Sequence, residues 1–179
     1  EVRRQAEAGG GGYRRGFGGA INRAWMTLAE RSRAEWVFHV EADFVFSRPV
    51  DLAAMVAVLA PRPYLVQLAL RRQPWNSDEA AAGGVVEMHP TAYEECYDGE
   101  AVWLEHRLFF TTNPCLYRRG LCEMGWPLVP RSEGEFSHYL MREGTSGVDA
   151  ANVRFGLWGA RVSGTWVEHV GHQRVGNGY

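Results

Sequence analysis

Glu41 and Asp43 stand one residue apart, directly after the apolar run Trp36-Val37-Phe38-His39-Val40 and before a second one, Phe44-Val45-Phe46. On an extended backbone the side chains of residues i and i+2 point the same way, so both carboxylates face one point while Ala42 turns aside. Such a pair suits Mg²⁺ or Mn²⁺, which takes one or two carboxylates from a protein and completes its shell with water and substrate phosphate. Two solvated acids at a strand end share the same spacing. A second acidic group, Ser132-Glu133-Gly134-Glu135, has two readings as well. Ser132 and Glu135 fit a capping box, whereas Glu133 or Glu135 at the mouth of a site would serve as a general base. His169 and His172 lie near the C-terminus, and their i, i+3 spacing alone does not define a zinc site.

Composition limits what these groups can serve. The chain has 179 residues, 46% of them hydrophobic, and a net charge of −2, which fits one globular domain with a substantial core. No run of like charges indicates an electrostatic grip on nucleic acid or anionic lipid. All 19 basic residues are Arg, so a P-loop lysine or a Schiff base has no side chain to form it. Cys96, Cys115 and Cys122 form no C-x-x-C pair and are too few for a disulfide framework, which points to a reducing compartment. No apolar stretch approaches the roughly 20 residues of a membrane helix, and the expected location is cytoplasmic.

The elements that must position the acids alternate along the chain. Residues 1–16 are polar and glycine-rich and read as a flexible segment, followed by a single domain over 17–179. Ile21, Trp25 and Leu28 mark a helix from about Gly19 to Arg33, and Glu35 to Val40 make the strand before the acid pair. Leu52, Met55, Val56 and Leu59 make a second helix, and Tyr64 to Leu70 a strand. Residues 71–107 read as loop with a short helix or hairpin. Leu108 to Thr112 reads as a strand closed by Asn113-Pro114, Ser132 opens a helix to about Glu143, and Arg161 to Val170 is a last strand. Strands alternating with helices predict an α/β sheet with a mainly parallel centre, which binds ligands at the carboxyl ends of its strands, where Glu41 and Asp43 fall.

This order of pieces resembles a GT-A glycosyltransferase of the family 2-like kind. The likeness rests on Asn22 and Trp25 in the first helix, the strand into Glu41-Ala42-Asp43, Asn113-Pro114 before Leu116 to Gly120, the Ser132 helix start and the terminal His169-x-Gly171. It implies a metal-dependent, inverting transfer of a sugar from a nucleotide-diphosphate donor to a hydroxyl-bearing acceptor, such as a glycan, a lipid-linked saccharide, a protein or a modified nucleic-acid base. In that scheme Asp43 ligates Mn²⁺ or Mg²⁺. Glu41 ligates it through water or contacts the donor ribose, and His169, with His172 as fallback, completes the shell. Glu135 is the expected base with Glu133 as alternative, and Trp75 and Trp103 either stack on the acceptor or sit in the core. Arg71, Arg72, Arg118 and Arg119 either contact phosphate or face solvent. The resemblance also implies a strand-helix-strand nucleotide-binding unit of roughly 30 or more residues ahead of the first helix. Only a glycine-rich segment stands there, so a fragment of a larger domain is expected. A nucleotidyltransferase using the Gly9 to Arg15 segment as a triphosphate loop, and a noncatalytic carbohydrate-binding domain, are the alternatives.

Overall fold

The computed structural model describes residues 16–173, the last two by backbone alone. The Gly9 to Arg15 segment and the His172 side chain therefore lie outside the described residues. The elements are α1 (Gly16–Arg31), β1 (Trp36–His39), β2 (Phe44–Phe46), α2 (Leu52–Leu59), β3 (Leu65–Ala69), α3 (Ser77–Ala82), α4 (Val85–Met88), β4 (Glu94–Asp98), β5 (Ala101–His106), β6 (Cys115–Arg118), α5 (Ser132–Glu143), β7 (Arg154–Trp158) and β8 (Val167–His169). Six strands form one sheet in the order β1-β6-β3-β7-β5-β4, and β2 pairs with β8 in a separate ribbon.

The class is mixed α/β, but the sheet is mostly antiparallel rather than mainly parallel. Only β3 and β7 run parallel within it, whereas β1–β6, β3–β6, β4–β5 and β5–β7 are antiparallel. The parallel expectation assumed that each strand returns through a helix. Here the β4–β5 hairpin turns instead through Gly99, at φ 59°, and Glu100, a two-residue connection that only antiparallel strands can use. β1 is an edge strand, with no strand on its outer side among the described residues.

Helices cover both faces of the sheet. α1 and α5 contribute Ile21, Trp25, Phe136 and Leu140 to a core against Ala69, Leu104, Tyr117 and Leu157. On the other face α2 contributes Met55, Val58 and Leu59 against Leu65, Leu68, Leu116 and Trp158. Asp51 caps α2 by accepting from the Ala54 amide at 2.9 Å, and the Asn76 side chain caps α3 at the Asp78 and Glu79 amides. Trp25, 1% exposed, is the centre of the first core. Its ring meets Trp126 and Phe136 edge-on at 5.0 and 5.2 Å, and its indole N–H donates to the Tyr117 hydroxyl at 2.9 Å. Asn22 accepts from the Trp126 amide at 3.1 Å, so α1 holds both β6 and the approach to α5 in place.

One predicted strand is absent and another is shortened. Residues Leu108 to Thr112 form an irregular segment, because its polar backbone is satisfied by side chains: Gln67 accepts from the Thr111 amide and donates to the Thr111 carbonyl, each at 2.9 Å. Val66 and Gln67 lie within a shift of the β3–β7 register between Leu65 and Leu68, which lets Gln67 share a face with the Thr111 segment while Leu65 and Leu68 pack on α2. The predicted strand from Arg161 is a short helical turn followed by three residues of β8. The central strand β7 has no clear mark in the sequence, because Gly156 interrupts its apolar run. Gly156 is needed for closeness, since a Cβ there would lie 2.6 Å from Leu68 Cδ2.

His106, 3% exposed, sits among Tyr93, Phe109 and Phe155 and accepts from the Leu108 amide through Nδ1 at 3.2 Å. Burial lowers its pKa from 6.5 to about 3, so the folded chain keeps the ring neutral where the unfolded chain protonates it. Its contribution to stability is present above pH 6.5 and is lost as pH falls from there towards about 3. The melting temperature should fall more steeply over that window in the wild type than in His106→Gln, and identical acid limbs would count against this role. Cys115 and Cys122 are buried thiols and Cys96 is half-buried: desolvation pushes Cys96 up to about 11 and Cys122 to about 12, and Cys115 higher still. None is poised as a nucleophile.

Candidate functional site

Glu41 and Asp43 leave β1 on a turn, not an extended strand, and the Phe44 amide donates back to the Glu41 carbonyl at 3.4 Å. The two carboxylates therefore separate. Glu41 Oε1 lies 3.7 Å from His39 Nε2, while Asp43 Oδ2 lies 3.3 Å from His169 Nε2. Ribbon pairing explains the second contact, since Phe44 of β2 stands opposite His169 of β8 and the Val170 amide donates to the Asp43 carbonyl at 2.9 Å. A Cβ built on Gly171 would overlap the Asp43 carboxylate, so the His169-x-Gly171 spacing sets the histidine beside the space that its Asp43 partner needs.

The His169 imidazole is buried and held on both faces. It stacks on Phe44 at 4.6 Å and on Trp75 at 5.2 Å, both nearly coplanar. Gln73 holds the backbone at the same residue, accepting from the His169 amide at 2.9 Å and donating to its carbonyl at 3.0 Å. A side-chain amide thus acts as one more rung beside β8. Trp75 is in turn anchored by Glu79, which accepts from its backbone amide at 2.8 Å and from Arg72 at 3.0 Å.

Asp43 and His169 would offer a divalent cation two protein ligands. Two ligands about 2.1–2.2 Å from an octahedral ion stand about 3.0–3.1 Å apart when at right angles, close to the Asp43–His169 separation. Among the described residues no group of three or more His, Cys, Asp and Glu converges on one point, so Glu41 does not join Asp43 and His169 directly. An ion that draws most of its shell from water and phosphate needs no third protein ligand.

The two acids of α5 also part company. Residues two apart on a helix point roughly 200° from each other, so only one can face a given wall. Glu133 lines a cavity of about 640 Å³, and Glu135 is exposed elsewhere on the helix. The capping box does not form, because Arg131 is the N-cap, at φ 56°, and Ser132 is a buried first helical residue. Glu133 Oε1 accepts from the Thr112 amide at 2.6 Å, the Thr112 hydroxyl at 2.8 Å and the Thr111 hydroxyl at 3.4 Å. All three bonds fall on one oxygen. Oε2 is left for other chemistry among the described residues.

Trp103 is 2% exposed and belongs to the second core, with its N–H on Glu105 and the Arg62 guanidinium over its ring, so it has no face for an acceptor. Trp75 is 49% exposed but lies at His169 rather than in the cavity lining. The four arginines considered for phosphate are engaged within the fold: Arg118 donates to the Leu59 and Ala60 carbonyls, and Arg119 to the Ala34 carbonyl and Glu123. Arg71 donates to the carbonyls of Gly164, Ala160 and Arg161, and Arg72 to Glu79. Gln73 and His39 carry no sequence signal of their own, since their roles arise from a cross-chain contact and from the turn at Glu41.

Comparison of the chain with protein-family models, with curated proteins and with solved structures finds no match.

Proposed function

We propose that this chain is a metal-dependent, inverting glycosyltransferase of GT-A type, acting on a nucleotide-diphosphate sugar. The observation that carries the reading is the Asp43–His169 pair, in which the acid motif after β1 and the terminal histidine meet at 3.3 Å. Asp43 and His169 would hold Mn²⁺ or Mg²⁺, and a bound cation would offset the charge that develops on the leaving diphosphate. Glu41, on the turn beside them, would contact the donor ribose or a water of the cation's shell.

Glu133 is the base this geometry favours over Glu135. Its Oε1 is fixed by the Thr111 and Thr112 donors, which leaves Oε2 for an acceptor in the cavity that Glu133 lines. As the acceptor oxygen bonds to the anomeric carbon, the bond from that carbon to the diphosphate oxygen breaks and the hydroxyl proton passes to Glu133. One displacement inverts the configuration.

A thermal-shift panel of nucleotide sugars with Mn²⁺ or with chelator tests the reading. A nucleotide sugar that raises the melting temperature only with Mn²⁺, increasingly with concentration, is the expected result. Release of pyrophosphate from a nucleoside triphosphate would favour a nucleotidyltransferase, and binding of sugars without any nucleotide response a noncatalytic carbohydrate-binding domain.

A further inference from the structure

We infer that the cavity beside Glu133 accepts an uncharged, hydroxyl-bearing glycoside with an apolar face, rather than a phosphorylated, lipid-pyrophosphate or nucleic-acid acceptor. This rests on the glycosyltransferase reading and narrows its acceptor. At about 640 Å³ the cavity has the size of sites that enclose a drug-sized molecule. Asp43 and His169 do not line it, and the link to them runs through Arg72, which lines the cavity and sits over the Trp75 ring that stacks on His169.

The charges of its wall are already committed. Recognition of phosphate needs a guanidinium or ammonium with donors to spare. The chain has no lysine. Arg71 is buried, makes three bonds to carbonyl oxygens and has Glu87 at 3.8 Å, while Arg72 is shared between Glu79, the Gln73 carbonyl and the Trp75 ring. Glu79 is neutralised by Arg72, so among the described residues Glu133 is the one charge of the wall without an opposite partner, and an anionic acceptor meets its repulsion and no free cation in the lining.

The uncommitted groups suit a sugar. The side chains of His89, Thr91 and Asn113 line the cavity and make no hydrogen bond to another described residue, so they are available to hydroxyl groups. Met88, Leu108 and Phe109 supply an apolar wall for the C–H face of a pyranose or for an aglycone. Glu133 completes the set at the reacting hydroxyl.

The test uses the full chain with p-nitrophenyl hexosides, hexose 6-phosphates and a single-stranded oligonucleotide, read by saturation-transfer NMR and thermal shift. At least one hexoside should bind. Thr91→Trp, which fills the cavity from an exposed position, and Leu108→Glu, which adds charge to its apolar wall, should each weaken that hexoside at least about tenfold. Neither substitution touches Asp43 or His169, so the Mn²⁺-dependent response to nucleotide sugar should persist in both, and if one variant fails to fold the other decides. Tighter binding of a hexose phosphate or the oligonucleotide, or hexoside binding indifferent to the substitutions, overturns the proposal. So does a wild type that answers to nucleotide sugar and ignores every hexoside. A wild type that binds hexosides in the cavity but never answers to nucleotide and Mn²⁺ upholds the cavity's preference and sinks the transferase reading instead.

Discussion

Asp43→Ala is expected to lower Mn²⁺-dependent nucleotide-sugar binding by more than about 100-fold while the domain stays folded. Losing a group that only orients a metal ligand costs about 10–100-fold in affinity, so losing a ligand itself costs more. The fold should tolerate the change, because Asp43 contributes to the ribbon through its backbone carbonyl, which accepts from Val170, and among the described residues its side chain forms an ion pair with His169 alone. His169→Ala should show the same loss and His172→Ala a smaller one. Calorimetric titration of nucleotide sugar with Mn²⁺ measures all three. Normal binding by Asp43→Ala would remove the metal from the account, and a larger loss at His172 would transfer the ligand role there.

Glu133→Gln should reduce transfer to the acceptor by roughly 100-fold to 10,000-fold, the usual range for losing general acid-base assistance, with donor affinity unchanged. The amide carbonyl can take over the three bonds that Oε1 accepts, so the Thr111–Thr112 segment should stay where it is. Only the proton-accepting oxygen is replaced. Glu135→Gln, on an exposed face, should leave turnover within about twofold, as is usual for surface changes. Single-turnover rates with donor in excess distinguish the two. Full activity in Glu133→Gln, or a collapse in Glu135→Gln, would reverse the assignment.

Much of the scaffold is legible in the residues themselves. Ile21, Trp25 and Leu28 place α1, the apolar run Leu52 to Leu59 places α2, and Trp36 to His39 make the strand before the acids, because period and punctuation are local properties. Sheet direction is not local. Whether β6 returns beside β1 depends on contacts made across the chain, such as His39 opposite Cys115. Gly156 hides β7 for a similar reason, since its missing side chain makes sense only once Leu68 is beside it.

The site divides along the same line. Glu41, Asp43 and His169 announce themselves by type and order, yet their partition does not. A turn at Ala42, rather than an extended backbone, sends one carboxylate to His39 and the other to His169. The choice between Glu133 and Glu135 is a matter of helix phase relative to the Thr111 segment, which reads as a strand until Gln67 is seen to hold it. Trp75 and Trp103 look alike in sequence, and burial alone tells the His169 neighbour from the core residue.

The central claim is that Asp43 and His169 share one cation, and a double-mutant cycle on Mn²⁺ affinity tests it most directly. Mn²⁺ would be titrated by electron paramagnetic resonance, at a fixed concentration of nucleoside diphosphate, into the wild type, Asp43→Ala, His169→Ala and the double variant. Two ligands of one ion act as a unit, so the double variant should bind little worse than the weaker single variant. Losses that add in full, or wild-type affinity in either single variant, would contradict it.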